Sequence, residues 1–498
     1  MSPRLRLRLT TLLLPPLGLV LLWRQPDAGL GRKLLGTLGI VLYSLLYSVG
    51  AVALLMQFTP LEIEWRGGFP PVLTFHKTKP DYSLVEAHRS KQTNAPPAVK
   101  VEAAGSNYWT DFRGPNRDGH YAERAIRTNW PAVGLKQFWR QPIGGGYASF
   151  VVADGRAFTI EQRRDEEAVT AYDVATGLEL WAHRYPALFS EEMGGEGPRA
   201  TPIWHEGRLY SLGAQGELCC LDAVTGRVLW RKNILNEFNA TGLYFGLSAS
   251  PLVVEETLIV MSGEPLAPVK GLTNFGVLAL NKQTGAKLWT ALPEKAAYAS
   301  PMLVTLAGER QILVNVARRV VGLRPSDGAL LWEIPWRVQY DNAIAQPVLV
   351  SSNRFMLSAG YGGGSALVEV SRSGEKFSAR QVWKNLNLKN KFNSSVFHEG
   401  FLYGLDEGIL TCLDASTGVR RWKDGRYGYG QMLLASGHLV ILGGEGDLAL
   451  VQATPERHVE LVRFPALKGK TWNHPSIAGG RLFIRNAVEM ACYDLSTP

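Results

Sequence analysis

A nine-residue unit recurs five times along this chain, and no other feature limits the possible folds as tightly. The copies are Asp173-Val-Ala-Thr-Gly177-Leu-Glu-Leu-Trp181, Asp222-Ala-Val-Thr-Gly226-Arg-Val-Leu-Trp230, Asn281-Lys-Gln-Thr-Gly285-Ala-Lys-Leu-Trp289, Arg324-Pro-Ser-Asp-Gly328-Ala-Leu-Leu-Trp332 and Asp414-Ala-Ser-Thr-Gly418-Val-Arg-Arg-Trp422. Each reads as a hairpin. The Asp or Asn side chain accepts backbone N–H bonds in the turn, Gly supplies the positive φ that closes it, and a short strand then carries Trp inward. An alternating strand precedes the turn, as in Gly216-Glu-Leu-Cys-Cys-Leu221. Before that comes a strand opening on a small-small-Pro step: Ala200-Thr-Pro202, Ala249-Ser-Pro251 or Ala299-Ser-Pro301. Each unit therefore holds four strands.

With Trp as ruler, positions 139, 181, 230, 289, 332, 383 and 422 are spaced by 42, 49, 59, 43, 51 and 39 residues, the pitch of a propeller blade. In the fifth unit Gly374 precedes Trp383 by nine residues, which predicts a longer turn. A seventh unit follows with Val451-Gln-Ala-Thr-Pro455 as its turn and Phe464 in the Trp slot. An eighth ends at Cys492-Tyr-Asp-Leu-Ser-Thr-Pro498, before an outer strand. Trp139 has no blade ahead of it, so its strand is expected to complete the last one and remove the open edge. The expected fold is all-β, an eight-bladed β-propeller over 107–498. WD40 is excluded because Asp never follows these Trp residues, and kelch because its paired glycines are missing.

The N-terminal end is of another kind. Leu34 to Met56 holds 23 uncharged residues, enough for one transmembrane helix, assigned to 34–57. Leu9 to Trp23 is shorter and broken by Pro15 and Pro16, which suits a re-entrant or interfacial segment better than a second span. Net charge is +9, which alone would suggest a nucleic-acid partner, but residues 1–33 carry six basic residues against one acid. That excess is a topology signal. The positive-inside rule puts residues 1–33 in the cytoplasm and everything beyond 57 outside, and no nucleic-acid partner is expected. Residues 58–75 read as a small hairpin and 76–106 as a flexible tether.

The D-A-x-T-G-x-x-L-W repeats resemble the quinoprotein-type, PQQ-like eight-bladed propeller superfamily, which includes both PQQ-dependent alcohol dehydrogenases and a non-enzymatic outer-membrane assembly lipoprotein. Trp109-Thr-Asp-Phe-Arg-Gly-Pro-Asn-Arg-Asp-Gly119 resembles the lead-in of a bacterial subgroup of PQQ-binding-like propellers. The resemblance implies two functions. One is a binding or scaffold module for a protein, peptide or glycan. The other is a PQQ-dependent alcohol or sugar dehydrogenase using calcium. The family's enzymes set a vicinal disulfide against the quinone, whereas here Cys219-Cys220 lies inside a strand. Cys220 shares its repeat slot with Ala171, Ala279, Gly322, Cys412 and Cys492, which is a packing position for small side chains. No disulfide is expected. No C-x-x-C-H, H-E-x-x-H, G-x-S-x-G or Walker motif is present, and no catalytic residue, metal ligand or calcium set can be assigned. No cofactor is expected on the scaffold reading; PQQ and calcium are on the enzyme reading.

One constellation remains. The residue before each small-small-Pro step stands where the blades converge: Tyr147, Arg199, Ser248, Tyr298, Ile344, Phe392, Tyr429 and Trp472. Two residues on, the series is polar throughout: Ser149, Thr201, Ser250, Ser300, Gln346, Ser394, Gln431 and His474. An aromatic collar with one Arg above a polar ring would suit a flat or extended ligand in a funnel, and wedge-filling between blades is the alternative. The candidate ligand residues are Tyr147, Arg199, Tyr298, Phe392, Tyr429, Trp472, Gln346 and His474.

Overall fold

The computed structural model describes residues 3–26, 28–59, 61–64, 71–74, 80–92, 109–266 and 275–497. The chain divides into two compact units, residues 1–65 with 69–77, and residues 66–68 with 78–498.

The first unit contains α1 (Pro3–Leu13), α2 (Pro15–Trp23) and α3 (Leu30–Phe58). The helix breaks at Leu14, directly before the proline pair, because Pro15 suits a first helical turn but cannot donate to a preceding one. α2 leans on α3, with Trp23 Nε1 donating to Thr37 Oγ1 at 2.9 Å. The 29 residues of α3 contain the predicted span and reach about 43 Å at ~1.5 Å per residue. Its most apolar window has mean hydropathy 2.1 and no buried share, so it is long and apolar enough to cross a bilayer. Glu62–Glu64 pairs antiparallel with Val72–Thr74 as the expected hairpin, whose turn lies outside the described residues.

The second unit is an eight-bladed propeller. Blades 1 to 6 are four-stranded meanders over 151–186, 203–233, 252–291, 302–335, 348–385 and 396–426. Blade 7 (431–465) adds His120–Tyr121 as a parallel inner strand. Blade 8 (476–494) takes Gln137–Pro142 as its outer strand, with Trp139 opposite Cys492, which is the predicted closure.

The repeat joins neighbouring blades. In four of the five turns the leading Asp or Asn accepts backbone N–H bonds, as Asp222 does from Val224 and Thr225. The turn Gly then lies on the Trp of the preceding blade: a Cβ on Gly226 would sit 2.6 Å from Trp181, and Gly226 has φ +72°. Trp Nε1 donates to a carbonyl of that next turn at 3.0–3.2 Å from Trp139, Trp181, Trp230, Trp289, Trp383 and Trp422. The small-residue slot directly faces Trp, as at Cys220–Trp230 and Gly322–Trp332.

Three details depart from the repeat reading. In blade 5 the hairpin strands are longer, Gly364–Ser373 and Lys376–Asn385, while the turn at Gly374 stays tight. Trp332 has no T-G turn to reach and donates to Gln311 in its own blade at 2.5 Å. In blade 7 the residue in the Trp register is Val462, opposite Leu450, because the turn is two residues longer. Phe464 stands two residues on and packs edge-on against Trp130.

The Trp109–Gly119 segment is a hub across the inner strands, on the side of the D-x-x-T-G turns. Trp109 O and Thr110 O accept from Val152 and Trp204 of blades 1 and 2. Arg117 donates to carbonyls of Ser250, Pro251 and Pro301 in blades 3 and 4, and pairs with Asp111 at 2.7 Å. Arg113 reaches Ser395 O of blade 6 at 2.8 Å, His120–Tyr121 joins blade 7, and Phe112 meets His474 of blade 8 edge-on. One short segment thus touches seven of the eight blades.

Within the region read as a tether, residues 82–90 form a helix, α4, capped by Asp81 on Leu84 N–H. The segment is ordered because polar side chains hold it to the propeller, a signal that hydrophobic periodicity does not register. Arg89 pairs with Glu179 at 3.1 Å and donates to Pro142 O and Tyr172 Oη, while Glu86 takes both Arg164 nitrogens. Arg89 thereby joins a buried network of Glu161, Arg163, Tyr172 and Glu179.

Candidate funnel at the loop face

The inner strand of every blade begins at the face opposite the turns, so the eight collar residues meet around the axis there. Their polar neighbours two residues on are buried and engaged with one another. Ser149, Thr201, Ser250, Ser300 and Gln346 each donate backbone N–H to the side chain of the equivalent residue in the next blade, at 2.7–3.0 Å. His474 N–H closes the series onto Ser149. Gln431 stands outside it and bridges carbonyls of Phe392 and Trp472 instead. The ring is therefore a circumferential tie, with buried N–H groups satisfied by short polar side chains.

Gln346 and His474 occupy this tie. Gln346 Oε1 accepts from Ser300 N–H and its Nε2 donates to Ser300 O. His474 faces Pro475 O through Nδ1, and burial, with Arg113 nearby, pushes its pKa down to about 3.

Above the tie the structure gathers four of the predicted aromatics. Trp472 stacks on Tyr147 at 5.4 Å and meets Phe392 at 4.5 Å, and Phe392 meets Tyr429 at 5.2 Å. Trp472 thereby packs against two aromatic rings. Arg199 lies over Tyr147 and Phe189, at 5.5 and 4.6 Å, and pairs with Glu191 at 2.8 Å. Burial lowers the Arg199 pKa although Tyr147 and Glu191 act against it. Tyr298 stands apart from the four, packed against Phe245 at 5.7 Å, with burial pushing its hydroxyl up to about 12. Ser248 donates to Tyr298 O.

The sequence reading missed two lysines. Lys470 Nζ lies 4.5 Å from the Trp472 ring, and Lys391 Nζ lies 5.0 Å from Tyr429 and 4.8 Å from Tyr361. Cation–π contacts of this kind favour a cation at the rim. Burial lowers the Lys391 pKa. Lys470 stands two residues before Trp472 and Lys391 directly before Phe392, but a lone Lys beside a collar position has no repeat signature.

Taken together, the fold and funnel define a PQQ-type repeat propeller, closed along its axis by its own chain. The chain belongs to the family described as outer membrane protein assembly factor BamB, whose sequence profile matches residues 164–424. Among solved structures, BamB from Moraxella catarrhalis is similar with TM-score 0.51 and 16% identity, over 73% of this chain and 98% of that one. The quinohemoprotein alcohol dehydrogenase from Comamonas testosteroni gives TM-score 0.55 and 12% identity, over 82% and 84%. The computationally designed Ika8 protein gives 0.51 and 9%, over 72% and 100%. At these identities the likeness is one of fold. No curated protein matches the chain.

The residues present do not fit the quinone and calcium that the enzyme branch of the superfamily uses. Cys219 and Cys220 are free and buried, and as neighbours in one strand they point to opposite faces. Cys219 packs into the core shared by blades 1 and 2, and Cys220 into that shared by blades 2, 3 and 4. Among the described residues no three His, Cys, Asp or Glu side chains come together as a metal site.

Proposed function

We propose that this propeller is a non-catalytic binding module, held by α3 on the outer side of a bacterial inner membrane, which takes a protein or peptide segment on its loop face. The observation that carries this reading is that the axis is occupied by the chain's own side chains, which leaves the loops themselves as the contact surface. Those loops expose large apolar groups: Leu188 at 50%, Tyr244 at 62%, Tyr340 at 71% and Leu386 at 63%. Apolar groups standing together on one face mark interaction sites more often than scattered ones do. The collar of Tyr147, Arg199, Tyr298, Phe392, Tyr429 and Trp472 forms the floor of that surface, with Gln346 and His474 supporting it from the ring beneath. The basic residues before α3 support the cytoplasmic N-terminus and the periplasmic propeller.

A photo-crosslinking amino acid at Tyr340 or Tyr244 of the full chain in its own membrane tests the reading. An adduct of one defined mass from these positions, absent from Val224 on the turn face, is the expected result. Equal or no crosslinking at both faces overturns it. Titrating the purified protein with PQQ and calcium tests the enzyme alternative, for which the expected result here is an unchanged melting temperature. A large calcium-dependent stabilisation would favour the dehydrogenase.

A further inference from the structure

The hub carries two buried arginines four residues apart, and their surroundings differ sharply. Arg117 has every nitrogen engaged: Nε and Nη2 on Asp111, Nη1 on Ser250 O and Pro301 O, and Nη2 also on Pro251 O. Its charge is matched by a carboxylate. Arg113 is 1% exposed and uses only Nη2, on Asp118 O and Ser395 O. Its Nε and Nη1 have no hydrogen-bond partner among the described residues, and no carboxylate there forms an ion pair with it.

The neighbourhood offers donors in excess. Asn393, two residues before the Ser395 carbonyl that Arg113 holds, is 1% exposed with Nδ2 unpartnered. Trp109, whose ring packs on Gly114, is 2% exposed with Nε1 unpartnered. The unpartnered acceptors are His474 Nε2 and Asn473 Oδ1. His474 Nδ1 faces Pro475 O, and the backbone of Met432 also acts on the ring. The Asp118 carboxylate acts on this guanidinium without forming an ion pair with it; a buried guanidinium with no paired carboxylate is costly, and unsatisfied buried N–H groups add to that cost. The same burial pulls the Arg113 pKa down to about 10.

We propose that Arg113 is the centre of an internal anion site, holding one small monovalent anion of the size of chloride between the hub and the polar tie. The anion accepts from Nε or Nη1, the donors that the chain leaves open, and gives the guanidinium the close counter-charge that Asp111 gives Arg117. A water molecule is the competing occupant. It would satisfy an Arg113 N–H but bring no charge, so the two differ in whether stability depends on which anion is dissolved. The site is independent of what binds the loop face.

The test uses the full chain in detergent. Melting temperature is followed as sodium gluconate is replaced by sodium chloride at constant ionic strength, for the wild type and for Arg113→Met. The expected result is a saturable rise of several degrees in the wild type that Arg113→Met lacks. An identical rise in Arg113→Met, or none in either protein, overturns the proposal. If Arg113→Met does not fold, diffraction from wild-type crystals grown in sodium bromide decides. An anomalous peak within hydrogen-bond distance of Arg113 Nε or Nη1 supports the site, and its absence refutes it.

Discussion

The two faces of the propeller solve different problems with the same strands. On the turn face, the T-G turns place their Asp or Asn on partners within the chain, and five of the Trp residues sit under the glycine of the next blade. On the loop face, the connections between blades 1, 2 and 3 are long, small accessory sheets such as Ser190–Glu191 with Gly195–Glu196 stand on them, and large apolar groups face solvent. The turn face repeats because each of its turns does the same mechanical job. The loop face does not repeat because nothing in blade packing dictates its residues. Regularity is therefore the mark of structure in this molecule, and departure from it the mark of a surface free to recognise something else.

Substitutions on each face should separate the two. Arg117→Met has the largest expected effect, because it strands buried Asp111 as well as removing three carbonyl bonds: about 3–5 kcal/mol of stability, measured by denaturant unfolding. Arg117→Lys should recover only part, since an ammonium cannot span two blades and a carboxylate with the same geometry. Gly328→Ala comes next. The added Cβ would lie 2.4 Å from Trp289 at φ +72°, and a loss of about 2 kcal/mol is expected in the same assay. A loss near zero would show that the Trp-on-glycine contact does not tie blade 3 to blade 4.

Arg89→Ala tests how firmly α4 holds the region before the propeller, with an expected loss of about 1–3 kcal/mol. It also carries a pH signature. Burial pushes the Glu161 carboxyl up, but Arg163, Arg89 and Arg485 outweigh it and hold the pKa below the ordinary 4.5. The stability this contributes is present above pH 4.5 and is lost as pH falls through the lower folded value. Removing Arg89 raises that folded value, so acid unfolding should begin at higher pH than in the wild type. The smallest effect belongs to the loop face. Tyr340→Ala and Leu188→Ala should change stability by less than about 0.5 kcal/mol while abolishing the crosslinked adduct. A loss of several kcal/mol would make these groups part of the packing and erase the contrast between faces.

Much of the architecture was legible because the features that build it are local and repeated. Asp, Gly and Trp at fixed offsets encode a turn and its docking partner, and Trp139 without a blade signalled the strand exchange. Blade 7 slipped because a turn two residues longer moved Val462 into the register that aromatic character suggested for Phe464. At the funnel, the collar could be named from its position relative to Pro. Its mutual stacking, the circumferential bonds of Gln346 and His474 and the flanking Lys391 and Lys470 could not, because each depends on a residue in another blade.

By itself the sequence determined the blade count, the closing strand, a helix apolar enough to span a bilayer and the structural role of the cysteines. Each of these follows from composition or spacing within a few dozen residues. Only the tertiary structure decided that Trp109–Gly119 is a hub reaching seven blades, that α4 is held by one buried and one exposed ion pair, and that Arg113 is left without an ion pair while Arg117 has one. The physical reason is distance along the chain. Arg117 meets its carbonyl partners 133 to 184 residues away, and Arg113 meets Ser395 O 282 residues away. Pairings at that separation carry no periodicity, and they exist only once the ring has closed.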